Sequence, residues 1–164
     1  MKRLSLLLLS LALPISLLVS CEQSGSKTSA LQARVDSLQD KLKSAYVPGT
    51  GEIMNSIIVS HHLKLWLAGE QKNWVLAEYE RHMLSGGFTR IQKYHQGTPE
   101  AAAVPMIFPA MDAVKKAIQN KDANAFKSNY ALLTNSCNTC HQALKYGFNV
   151  ITIPTSASPV NQSF

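Results

Sequence analysis

Cys137-Asn138-Thr139-Cys140-His141 gathers more reactive side chains than any other stretch of the chain. Two thiols three residues apart on a helix lie about one turn apart on the same side. Such a pair can add across the two vinyl groups of a haem to form thioethers, and a histidine directly behind them turns its imidazole toward the iron. The spacing is that of c-type haem attachment, with Cys137 and Cys140 as the covalent links and His141 as the fifth iron ligand. The same spacing also occurs in disulfides and in thioredoxin-like redox pairs, but the latter need a βαβ context, and no segment here alternates with period two. A zinc site would need about two further ligands. His61, His62, His82 and His95 could supply them, but there is no second cysteine pair. One covalently bound haem c is therefore the expected cofactor.

These residues must be carried by helices. Leu31, Val35, Leu38 and Leu42 recur at steps of four, three and four, a heptad-like stripe on an amphipathic helix over 30–46. That stripe offers a surface for oligomerisation through 31–45 as well as for packing on the rest of the chain. Val47-Pro48-Gly49 ends it. Four more helices are expected within 50–147. The first runs from Gly51 to Ala68, with Thr50 as its cap, Met54, Ile58, His61, Leu65 and Ala68 inward, and Gly69 as its stop. The second starts after the cap Asn73 and runs from Trp74 to about His95, with Leu76, Tyr79 or Glu80, Met83 and Ile91 on one side and a weak point at Ser85-Gly86-Gly87. Thr98-Pro99-Glu100 is a helix start. Pro105 and Pro109 interrupt the stretch after it, and the third main helix runs from near Pro109 to Gln119. The fourth, capped by Asp122, carries Phe126, Tyr130, Leu133, Cys137, His141 and Leu144 along one side, with Gly147 as its stop. The fold class is all-α: an up-and-down four-helix bundle with an extra N-terminal helix and an irregular C-terminal tail over 148–164.

In such a bundle the first and fourth helices are antiparallel neighbours. His141 lies near the end of the fourth, so its counterpart across the iron lies near the start of the first. Met54 meets that condition as sixth ligand, whereas His61 is two turns further, about 10 Å along the axis. His61, His62 and an open sixth position remain the alternatives, and a core methionine is the plain reading of Met54. Trp66 and Trp74 pack the hairpin around Gly69, Lys64 is a candidate for holding haem propionates, and Glu78 and Glu80 read as a solvated face.

The N-terminus reads as a signal peptide over 1–20: Met1-Lys2-Arg3, then a Leu-rich run from Leu4 to Leu17. Leu18-Val19-Ser20-Cys21 resembles the bacterial lipobox. That resemblance implies lipidation of Cys21, a flexible tether over 21–29, and an exported protein held on a membrane by its acyl chains. Glu22 in place of Asp favours the periplasmic face of the outer membrane over the inner membrane. Of the three cysteines one is then assigned to lipid and two to haem. Loss of Lys2 and Arg3 takes the net charge from +6 to +4. That charge, with Lys115, Lys116 and Lys121, suits an acidic redox protein partner. No nucleic-acid motif, phosphate loop, nucleophile elbow or paired-carboxylate spacing occurs.

A bundle with CxxCH in its last helix and a methionine early in its first is similar to the class II cytochromes c, the cytochrome c-prime group, over residues 50–147. The stretches PGTGEIMNSIIVSHHLKLWLAGEQKNWVLAEYE and LLTNSCNTCHQALKYGFNVITIP resemble a set of bacterial cytochrome c-like lipoproteins. The class II resemblance implies a four-helix bundle with haem on Cys137 and Cys140, His141 as fifth ligand, and Met54 as sixth ligand in the low-spin form. Two features depart from it: the tail after His141 is longer, and the His61-His62 pair has no counterpart. The expected function is one-electron transfer by a membrane-anchored monohaem cytochrome, a carrier and not an enzyme. A gas-binding or sensing haem protein with an open sixth position, and a non-haem structural lipoprotein, are the alternatives.

Overall fold

The computed structural model describes residues 27–155, and among them the regular structure is entirely helical. The signal peptide, Cys21 and the tail beyond 155 lie outside the described residues. Among the described residues no helix is long and apolar enough to cross a membrane. The chain divides at Tyr46/Val47 into two units. In the first, helix α1 spans 27–44. Its stripe of Leu31, Val35, Leu38 and Leu42 is exposed, and its polar side carries a Gln32–Asp36 hydrogen bond of 2.9 Å one turn apart.

The second unit opens on a helical rod in three sections: α2 (Thr50–Ile53), a π-helical segment (Met54–Ile58) and α3 (Val59–Glu70). The N-cap is Gly49, which makes no side-chain bond, and Thr50 is already helical. Within the π segment the Val59 N–H reaches back five residues to the Met54 carbonyl. The extra residue per turn advances the buried face. Ile53 and Ile58, five apart, are both buried, and the inward histidine is His62, not His61.

Gly69 does not stop the rod. It lies within α3, buried, where an added Cβ would stand 2.1 Å from the Phe126 ring. The stop comes at Lys72, which takes a left-handed conformation (φ 56°) while Asn73 N–H bonds to Ala68 O and Lys72 N–H to Gly69 O. These are the two bonds of a Schellman ending. The ending recurs at Lys121 after α6 (Phe108–Gln119) and at Lys145 after α7 (Ala123–Ala143). Gly147 is therefore not the α7 stop.

In the first two cases the next residue caps the following helix. Asn73 Oδ1 accepts from Leu76 N–H to start α4 (Trp74–Tyr94), and Asp122 Oδ1 accepts from Asn124 and Ala125 N–H to start α7. Thr98 caps α5 (Pro99–Ala103), which passes through a 3-10 turn at Val104–Ile107 into α6.

α3 packs on α4, α4 on α6, α6 on α7, and α7 on α3. α4 is uninterrupted through Ser85-Gly86-Gly87. Gly87 instead lets the π segment approach, since a Cβ there would lie 2.8 Å from Ile58 Cγ1. The buried face of α4 is Ala77, Glu80, Arg81, Leu84, Gly87, Phe88 and Ile91; Glu80 and Ile91 of the expected stripe are on it, Ala77 and Leu84 take the place of Leu76 and Met83, and Tyr79 is exposed. Phe126, Tyr130, Trp66 and Trp74 form an aromatic cluster at one end, with ring centroids 4.8 to 6.2 Å apart.

Candidate cofactor site

The other end holds an apolar cavity of about 40 Å³ that opens to solvent on one side. The π segment and the start of α3 supply Met54, Asn55, Ile58, Val59 and His62; α7 supplies Cys137, Cys140 and His141. Phe88, Ile107, Asn149 and Ile151 complete the lining. Since α3 ends against the first turn of α7 while Met54 and His141 share a cavity, the rod and α7 run antiparallel. A contiguous cleft brings Thr50, Glu100, Leu144 and Tyr146 to the same mouth, where Tyr146 donates a 3.0 Å hydrogen bond to Glu100.

Both thiols are buried, free and unbridged. Burial and the neighbouring Cys140 push the Cys137 thiol up to about 12, and burial also raises Cys140. A thioredoxin-like pair depends on a depressed thiol pKa, and here both move the opposite way. His141 Nδ1 lies 2.7 Å from the Asn149 carbonyl oxygen. A carbonyl only accepts, so Nδ1 carries the proton and Nε2 keeps its lone pair for a metal. The donor set therefore fits haem c: two neutral thiols to add to vinyl groups, one imidazole of the required tautomer, and apolar walls.

The structure separates the candidates for the opposite axial position. Met54 lines the cavity and its adjoining cleft. His61 faces α4, where Nδ1 is hydrogen-bonded to Glu80. Glu80 is only 1% exposed, which corrects its reading as part of a solvated face. Glu78 is partly exposed and takes two hydrogen bonds from Arg81, which hold its carboxyl below the usual range.

His62 lines the cavity, but both ring nitrogens are engaged. Nε2 lies 3.0 Å from Thr134 Oγ1, whose own proton is donated to the Tyr130 carbonyl, so Nε2 must be the donor. Nδ1 then accepts, 2.9 Å from the Tyr130 hydroxyl, whose single proton is shared with the His62 carbonyl at 2.8 Å. Burial lowers the His62 pKa to about 4, so the ring is neutral near neutrality.

Lys64, Lys115, Lys116 and Lys121 do not line the cavity. Asn138 and Asn149 make contacts at the site that the sequence does not announce. Asn138 lies inside the cysteine motif, yet its carboxamide grips the tail: Nδ2 donates to Ile151 O and Oδ1 accepts from Ile151 N–H, each at 2.8 Å. Neither asparagine belongs to a periodic pattern, so only the presence of amide side chains beside the motif hints at them. No protein-family model, curated protein or solved structure matches the chain.

Proposed function

We propose that this chain is a membrane-anchored monohaem c-type cytochrome that carries single electrons outside the cytoplasm. The carrying observation is one apolar cavity holding Cys137, Cys140, His141 and Met54 together. The cyclic packing of α3, α4, α6 and α7 supports an up-and-down four-helix bundle of the class II cytochrome kind.

Cys137 and Cys140 would hold a haem c as thioethers, each S–H adding across one vinyl group with no leaving group, and His141 Nε2 and the Met54 sulfur would be the side chains that hold its iron. The neutral, fully bonded His62 and the Glu80-bonded His61 make poorer ligands than Met54. A haem c held there supplies reversible one-electron exchange at the iron. With His141 and Met54 both holding the iron, the chain would act as a carrier and not as an enzyme. Ile58, Phe88 and Ile107 exclude water around the group, and an acidic redox protein suits the net positive charge. The anchor is the lipid on Cys21, with the periplasmic face of the outer membrane favoured.

The test is an absorption spectrum of the full chain made with the haem-attachment machinery. A low-spin ferrous spectrum, with a ferric methionine-to-iron band that disappears in Met54→Ala, is expected. A high-spin spectrum that responds to carbon monoxide would instead indicate a gas-binding protein. Absence of covalent haem would leave a structural lipoprotein.

A further inference from the structure

The chain does not leave the site when α7 ends. After the left-handed Lys145 and a turn closed by Asn149 N–H to Tyr146 O at 2.8 Å, it runs back along the outside of the cysteine motif. Two contacts hold it there. One is the Asn149 carbonyl on His141 Nδ1; the other is the Asn138 carboxamide on both backbone groups of Ile151. The Ile151 side chain lines the cavity, whereas Phe148 (84% exposed) and Val150 (64%) bury little.

We infer that residues 147–153 form a strap that orients His141 and strengthens its donation to the metal, and that Asn138 is the latch that keeps the strap closed. The inference rests on the haem reading of the site. A carboxamide that gives a donor and an acceptor to the same residue reproduces one rung of a β-ladder. That rung fixes Ile151, and two residues earlier the Asn149 carbonyl is thereby held at hydrogen-bond distance from the imidazole. The carbonyl selects the Nδ1–H tautomer, fixes the ring plane and raises the basicity of Nε2, the ordinary work of a group behind a ligating histidine. Without Asn138 the strap keeps one bond and little apolar burial, so it opens. Asn138 does not itself line the cavity and makes no hydrogen bond to the imidazole. It is a positioning residue that acts on the iron ligand through the backbone of the tail.

The test uses full-length haem-loaded protein and two variants that break the latch from opposite sides. Asn138→Ala removes the carboxamide. Ile151→Pro removes the N–H it grips and leaves the sequence read by the attachment machinery untouched. Because Ile151 lines the cavity, covalent haem content is measured in every variant and both signals are read on the haem-loaded fraction alone. Two signals are read: solvent exchange of the His141 Nδ1 proton by NMR, and the iron–imidazole stretching frequency by resonance Raman of the five-coordinate ferrous form made by photolysing the carbon monoxide complex. Loss of the latch is expected to speed proton exchange by about tenfold or more, the effect of losing roughly one hydrogen bond, and to lower the stretching frequency. Asn138→Asp, which keeps only the acceptor, falls between. Parent-like exchange and frequency in Ile151→Pro with full haem content would overturn the latch while leaving the haem reading intact. Absence of covalent haem from the parent protein would overturn both.

Discussion

His62 shows how one side chain couples stability to pH. Its pKa falls from 6.5 in the unfolded chain to about 4 in the fold because burial disfavours the imidazolium. Below pH 6.5 the unfolded chain takes up a proton that the folded chain refuses until about pH 4. The contribution is therefore complete above 6.5 and is lost as pH falls toward 4, by about 3 kcal/mol in all. Denaturant titrations at pH 7 and pH 5 should show the parent losing about 2 kcal/mol more over that interval than His62→Gln. Parallel profiles would refute the assignment. The two histidines also show where sequence reading stops. A regular 3.6-residue period from Met54 places His61 inward, but the π segment advances the face by one residue and seats His62 there instead. Nothing local in MNSII announces that extra residue, whereas CxxCH spacing announces its chemistry without any knowledge of the fold.

Among the helices, the ends at His95 and Gln119 are legible in the sequence, as are three of the four expected caps, Thr50 being the one that fails, whereas the left-handed lysine stops are not. Asn73, Thr98 before Pro99, and Asp122 are cap residues by chemistry, and all three cap. The stops fall on Lys72, Lys121 and Lys145, where a left-handed backbone would favour glycine. Replacing Lys72 or Lys121 by Gly should raise stability by about 0.5–1 kcal/mol each, read as a higher denaturant midpoint with an unchanged slope. Gly69 behaves in the opposite way. It sits in a regular helix where alanine would be the better residue, but the Phe126 ring occupies the space of a Cβ. Gly69→Ala should cost about 1–3 kcal/mol through displacement of Phe126 and its contacts with Trp66 and Trp74. A stabilised Gly69→Ala protein would show that the aromatic cluster yields freely. Part of the inward face of α4 escapes sequence reading for a related reason: it includes Glu80 and Arg81, whose burial depends on partners that hydrophobic periodicity does not see.

At the scale of the molecule, the antiparallel course of the rod and α7 is legible, because a residue near the end of one long helix must find its neighbour near the start of the other. The return of the tail is not, because it depends on three hydrogen bonds between its backbone and the side-chain amide and imidazole. The first unit gives a separate prediction. Val35 and Leu38 fall on alternating core positions of a heptad, the pattern that favours two-stranded association, and both are exposed. Sedimentation of the full chain should show self-association that Leu38→Glu abolishes. A single monomeric mass for both proteins would assign the stripe to another role. Electron exchange with an acidic partner should slow as ionic strength rises, since the attraction is screened within about 10 Å at 0.1 M salt.

The π segment carries a genealogical consequence. A bulge of this kind is what a single inserted codon leaves when the helix on both sides keeps its old contacts. Deleting one residue between Met54 and Ile58 would restore an ordinary α-helix. With α3 held by its packing, the upstream turn would then swing by about 100°. Met54 would leave the cavity, while Cys137, Cys140 and His141 would stay where they are. On the proposed haem reading, that one-residue deletion would exchange the Met54 ligand for a position open to small ligands while both covalent attachment sites stay in place.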